Sequence, residues 1–143
     1  MFFMSFMVSF VFSYSYDGLQ KIWSAWFGKE IMENSPISDV RWTDNAVVVD
    51  VAGDIDLHRS PQLQRGLLDV LNKKPERILV NLAGVGYMDS SGVASLVKLL
   101  SRTKKLGVTL VLLSPSNKVR SILEITRLDS VFSICESETQ AMA

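Results

Sequence analysis

The chain has 143 residues, 48% of them apolar, and its 15 basic and 15 acidic side chains leave a formal net charge of zero. That is one domain's length, with enough apolar surface for a core that needs neither metal nor disulfides, and no global or local basic field is present to gather nucleic acid. One cysteine, Cys135, cannot close an internal disulfide, and with a single distant histidine, His58, it makes no zinc-ligand set.

Residues 1–16 carry no charged side chain and are rich in Phe, Met, Val and Ser. They fall short of the about 20 apolar residues that a bilayer span requires. They also lack the basic start and the small-residue cleavage site of a secretory signal. Leu19, Ile22, Trp23, Trp26, Phe27 and Ile31 then recur at helical spacing, which predicts an amphipathic helix. Residues 1–34 are thus read as an amino-terminal extension, apolar and then amphipathic. Three readings of it stand open: an interfacial membrane helix, a helix that docks on the domain or on a second copy, and upstream sequence from a misassigned start, with Met32 as the true one. Membrane contact is expected only if residues 1–31 are native.

From residue 35 onward the pattern is that of one α/β domain. Residues 38–42 and 46–52 read as two strands joined by a turn at Thr43-Asp44-Asn45. Val47-Val48-Val49-Asp50-Val51 is nearly continuous, as in a strand covered on both faces. Ser60-Pro61 predicts a helix start with Ser60 as cap, and Leu63, Leu67, Val70 and Leu71 give the helix its apolar stripe. Pro75 stops that helix. Residues 77–82 form the next strand, and residues 93–105 the next helix, which ends at Gly107. Residues 108–113 are again an apolar strand. Ser114-Pro115 predicts a third helix start, with Val119, Ile122 and Leu123 on one face. Leu128-Asp129-Ser130 turns the chain into a short strand at 131–134. Ser137-Glu138-Thr139-Gln140 has capping-box spacing before about one final turn of helix. Strands alternating with helices predict a mostly parallel sheet of four to five strands, with one antiparallel edge hairpin.

The stretch that stands out is Met88-Asp89-Ser90-Ser91-Gly92. It lies beyond the carboxyl end of a strand, where α/β proteins keep their chemistry. Ser90 has two readings on its own residues. It is a helix cap, whose hydroxyl accepts from an orphan backbone N–H, or it is an exposed modification site. A phosphate there would sit at a helix amino terminus. Ser91 reads as a second polar group of the cap, and Gly92 as a residue that keeps the backbone approachable. Asp89 reads as a cap, a solvated acid or a docking contact. Asp54 and Asp56 read as loop acids, with Asp56 also able to help start the first helix. If their loop lies beside Asp89, the three make a negative patch. His58 reads as exposed, and Cys135 as a small, partly buried side chain.

Gly53-Asp54-Ile55-Asp56-Leu57, the Asp-Ser-Ser-Gly piece, and Leu123-Glu124-Ile125-Thr126-Arg127-Leu128 in this order resemble the STAS domain. That fold is shared by anti-sigma factor antagonists and the cytoplasmic tails of sulfate transporters. The resemblance covers roughly residues 36 to 143, and Asp89-Ser90-Ser91-Gly92 is its specific part. It implies that Ser90 is phosphorylated by a partner serine kinase, itself the anti-sigma factor, and that a phosphatase resets the cycle. It implies partner binding around Asp54, Asp56, Asp89, Ser91 and Gly92, a bacterial cytoplasmic location, and no cofactor. Arg127 stands where many members have glycine, and the last helix is shorter than usual. A second implied role is an accessory or scaffold subunit of a membrane transporter or of a stressosome-like complex. Oligomers are compatible with either.

An enzyme is not expected. No base accompanies the serines, since His58 is the only histidine, and no Gly-x-Ser-x-Gly elbow is present. Gly84-Val85-Gly86 is too short for a dinucleotide fingerprint. Asp54, Asp56 and Asp89 match a phosphate-accepting receiver poorly, because no acceptor aspartate stands at a strand end with a suitably placed lysine.

Overall fold

Five strands form one sheet in the spatial order of the sequence. The computed structural model describes residues 35–142, so the readings made for residues 1–34 lie outside the described residues. β1 (Ile37–Thr43) and β2 (Ala46–Ala52) pair antiparallel as the edge hairpin, with Thr43 opposite Ala46. β3 (Arg77–Gly84), β4 (Thr109–Leu113) and β5 (Ser133–Cys135) follow, each parallel to its predecessor. Four helices connect or follow the parallel strands: α1 (Ser60–Asn72), α2 (Ser90–Leu106), α3 (Asn117–Ile125) and α4 (Glu138–Met142). The predicted mixed sheet and its element order are therefore observed.

The alternation of side chains along a strand sorts each one into two faces. Val47, Val49, Val51, Ile78, Val80, Leu82, Leu110 and Leu112 pack with the stripes of α1 (Leu63, Leu67, Val70, Leu71) and α2 (Val93, Leu96, Leu99). Ala46, Val48, Leu79, Val111 and Leu113 form a second buried cluster with Ala141 of α4. Burial on both faces is why β2 reads as an unbroken apolar run. On that second side Asn81 and Arg41 donate to the Asp50 carboxylate, and Arg41 also pairs with Glu138, which ties β1 and β2 to α4. Burial pushes the Asp50 carboxyl up, but the hydrogen bonds from Arg41 and Asn81 outweigh it and leave the group below its ordinary value.

Three local expectations are corrected. Ser60 does not cap α1: it is the first helical residue and is buried, and the cap position falls on Arg59, whose side chain makes no capping hydrogen bond. The turn is held instead by Asp56, whose Oδ1 accepts from the His58 and Arg59 N–H groups, each at 3.0 Å. Ser114-Pro115 does not open α3. Ser114 has φ 47° and donates its N–H to the Cys135 carbonyl, so it belongs to the β4–β5 edge. Ser116 is the cap, accepting from Val119 N–H at 3.4 Å. The capping box at Ser137 is half formed: Ser137 accepts from Gln140 N–H, but the Gln140 side chain reaches back to Glu136 N–H.

Arg127, noted above as standing in a glycine's place, has φ 59° and ψ 23° before the 3-10 turn Leu128–Ser130. The left-handed region costs a residue with a Cβ about 1–2 kcal/mol, and the extra unfolded-state freedom of glycine returns part of that. Arg127→Gly is expected to stabilise the domain by about 0.5–1 kcal/mol. Urea denaturation checks it, as a raised midpoint with unchanged slope.

Candidate functional site

Two loops leave the carboxyl ends of the neighbouring parallel strands β2 and β3, and they stay knitted together. Gly53 N–H donates to the Gly84 carbonyl at 2.9 Å, Ile55 N–H to Tyr87 at 2.8 Å, and Asp89 N–H to Ile55 at 3.1 Å. Ile55 and Met88 thus form an isolated parallel bridge, with both side chains buried beneath it. The strand pairing continues past its register shift and carries residues 53–57 alongside residues 86–92. The Asp54 carboxylate lies close to Gly86, 3.4 Å from where a Cβ would stand.

Asp89, not Ser90, caps α2. Its backbone is extended (φ −94°, ψ −174°), and its Oδ1 accepts from Ser91 N–H at 2.9 Å and Gly92 N–H at 3.2 Å. The Ser91 hydroxyl donates to the same oxygen. These bonds, the Ser91 hydroxyl foremost, hold the Asp89 carboxyl below its ordinary value against the upward push of burial, with Leu57 N–H contributing as well. A depressed native pKa means that the cap stabilises the fold above the unfolded-state value of about 3.9 and that this is lost as pH falls through the native pKa. The expected result is that the stability difference between the wild type and Asp89→Asn shifts between pH 5 and pH 3 and is flat from pH 5 to 7. Urea melts across that range check it.

Ser90 occupies the first helical position. It is exposed, and among the described residues its hydroxyl has no hydrogen-bond partner. Ser91 is half-buried, its hydroxyl committed to Asp89. Gly92 is buried, so it offers no surface. Its role is steric, because a Cβ would stand 2.5 Å from Met88 Cγ and 2.9 Å from Ile55 Cγ2. Asp54 is exposed and Asp56 half-buried in its turn-capping role. His58 is exposed, and Cys135 is a half-buried free thiol. Among the described residues no three His, Cys, Asp or Glu side chains gather as a metal-binding group, and no helix is long and apolar enough to cross a membrane.

Behind the site, Ser95 joins α1 to α2. Its hydroxyl lies within hydrogen-bond distance of the Ser60 and Ser91 carbonyls, at 3.3 and 3.1 Å. Ser116 donates to the Val85 carbonyl at 2.7 Å and fixes the start of α3 against the β3 exit. The sequence reading gave these two serines no such role, and it did not foresee that three apolar residues near the site, Leu57, Tyr87 and Ile125, are exposed. Ile125 gave a signal, since it falls outside the stripe of Val119, Ile122 and Leu123. Leu57 and Tyr87 gave none.

Three comparisons bear on this geometry. The STAS domain pattern matches residues 38–141. Over 96 residues, 67% of this chain and 87% of the other, the sequence is 30% identical to the anti-sigma-B factor antagonist of Bacillus subtilis strain 168. Among solved structures, an anti-sigma factor antagonist from Mycobacterium paratuberculosis superposes with a TM-score of 0.68 at 23% identity, covering 73% of this chain and 88% of that one. The unphosphorylated form of the anti-sigma factor antagonist SpoIIAA gives a TM-score of 0.63 at 22% identity, covering 73% and 91%.

Proposed function

The chain belongs to the STAS domain family, and from that premise we propose that it is an anti-sigma factor antagonist acting by partner switching, with Ser90 as the switch. The relatives are named anti-sigma factor antagonists, and on this reading the serine receives chemistry and performs none. The observation that carries the reading is the exposed Ser90 hydroxyl, without a hydrogen-bond partner among the described residues, beside a Ser91 hydroxyl that is already engaged. Of the two serines only Ser90 offers an oxygen to a kinase without first breaking the cap.

In the proposed step the Ser90 Oγ attacks the γ-phosphorus of ATP bound to an anti-sigma factor serine kinase. The new O–P bond forms as the β–γ bridging P–O bond breaks; ADP leaves and the hydroxyl proton passes to a base on the kinase. A phosphatase later returns the serine by hydrolysis. The unmodified protein holds the kinase and frees the sigma factor in the cytoplasm; the phosphorylated protein lets go. The phosphate brings about −1.5 to −2 charges. The first-turn N–H groups of Ser91 and Gly92 are occupied by Asp89, so they do not neutralise it. It joins Asp89 and Asp54 in one negative patch. Asp54 and Asp89 are proposed to face the partner, while Asp56, Ser91 and Gly92 shape the surface behind them.

The test is to incubate the purified chain with the serine kinase of its own host and ATP, then map the phosphate by mass spectrometry. One phosphate on Ser90, and none on Ser90→Ala, is expected. Phosphate elsewhere, with Ser90→Ala still fully modified, overturns the reading. The accessory or scaffold role rests on residues 1–31, outside the described residues. Recovery of a transporter ATPase, and no serine kinase, in a pull-down with the full chain would favour it.

A further inference from the structure

We propose that the open cleft between the Tyr87–Met88 segment and the outer face of α3 is an anchoring groove for the same serine kinase that modifies Ser90, and that it takes an apolar side chain of that kinase. The inference rests on the reading of Ser90 as phosphoacceptor and adds the surface that holds the partner in place. The cleft has a volume of about 350 Å³ and is lined by Tyr87, Met88, Lys118, Ser121, Ile122 and Ile125. Its rim carries apolar surface that the fold itself does not use: Ile125 is 81% exposed and Tyr87 48%. Leu57, whose N–H bonds the Asp89 carboxylate, is 71% exposed. Exposed apolar residues grouped around one loop mark a protein-binding surface more than a solvated one.

Continuity with the modified loop decides the occupant. Met88 forms part of the cleft wall and is two residues from Ser90, so their Cα atoms are at most about 7 Å apart. A kinase that closes on the Ser90 hydroxyl therefore covers the cleft mouth. Charge fixes the register of the contact. Lys118 is the one charged residue in the cleft lining, whereas Asp54 and Asp89 stand at the loop pair beyond it. The groove fits a kinase segment whose apolar residue is followed by an acidic group on the Lys118 side and a basic group on the Asp54 side. Such a contact holds the kinase while the phosphate is transferred, because it does not involve the serine oxygen, and once Ser90 carries the phosphate the charge repulsion outweighs it.

The test is isothermal titration of the full chain against the host's purified serine kinase loaded with ADP, alongside Ser90 phosphorylation at saturating kinase. Ile125→Glu is expected to weaken binding tenfold or more and Tyr87→Ala about fivefold, with Ser90 still the residue modified at saturation. Leu106→Glu is the control: it too alters an exposed apolar residue, but at the far end of α2, roughly 24 Å along the helix from Ser90. Its affinity is expected to be that of the wild type. Circular dichroism confirms that each variant is folded. Wild-type affinity in both Ile125→Glu and Tyr87→Ala, with Ser90 phosphorylated, overturns the groove and leaves the switch standing. A kinase that neither binds nor modifies the wild type overturns both.

Discussion

Phosphorylation of Ser90 is expected to weaken binding of the serine kinase a hundredfold or more, and Ser90→Asp tenfold or more, while the fold stays intact. The two halves of this expectation have different causes. Stability is preserved because Ser90 is the first helical residue and is exposed. Negative charge in the first turn of a helix is favoured by the macrodipole by about 0.3–1 kcal/mol. Nothing inside the domain has to make room. Binding is lost because the same charge adds to that of Asp89, the residue before it in the chain, and it must be desolvated when a partner closes over it. A hundredfold loss corresponds to about 2.7 kcal/mol. That is of the size expected for a charge stranded in an interface that was matched to a neutral serine. Aspartate carries one charge and a shorter reach, hence the smaller loss. Titration calorimetry on the three forms, with thermal melts alongside, checks both halves. Equal affinity for all three would remove Ser90 from the interface, and an unfolded Ser90→Asp would show that the serine belongs to the fold.

The second large effect is on stability. Gly92→Val is expected to cost about 3 kcal/mol or more, whereas Gly66→Ala in α1 is expected to be neutral or mildly stabilising. At Gly92 an added Cβ meets Met88 and Ile55, at 2.5 and 2.9 Å. Both neighbours are buried, and the backbone bonds between Ile55 and residues 87 and 89 hold them in place. They cannot withdraw without opening the junction between the two loops. A single methyl at such a site costs about 1–3 kcal/mol, and valine adds two more carbons. Gly92→Ala should be milder, because helix propensity returns about 1 kcal/mol. At Gly66 the crowding atom is Ile37 Cδ1, the far end of a half-buried side chain, which can rotate away. Urea denaturation of the two variants checks the contrast. A Gly92→Val protein as stable as the wild type would mean that the loops are held by something other than this close packing.

Both effects arise at a junction whose residues were all visible in the sequence, but whose division of labour was not. Apolar periodicity, Pro75 and Gly107 marked out the strands and helices, because those signals act over a few neighbouring residues. Asp-Ser-Ser-Gly marked the loop. Which of its polar groups caps α2 was not legible. Asp89, Ser90 and Ser91 are all competent caps, and the choice depends on which one enters with extended backbone. That is set by the pairing of Ile55 with Met88, residues 33 positions apart. The same pairing made Gly92, read as a residue that keeps the backbone approachable, a buried contact, and the start of α1 fell to Asp56, which the sequence also offered, rather than to Ser60. Ser114 lost its capping role to Ser116 for a similar reason, since its N–H is taken by Cys135 on the neighbouring strand.

The sequence by itself thus determined the order of elements, the mostly parallel sheet with its edge hairpin, and the stretch that carries Ser90, because propensity and side-chain alternation are local. Only the tertiary structure decided that Ser90 is exposed, its hydroxyl without a partner among the described residues while Ser91 is bound to Asp89, and that Tyr87 and Ile125 share one cleft beside it. Those facts depend on where β2, β3 and α3 end relative to one another, and hydrogen bonds between distant segments fix that.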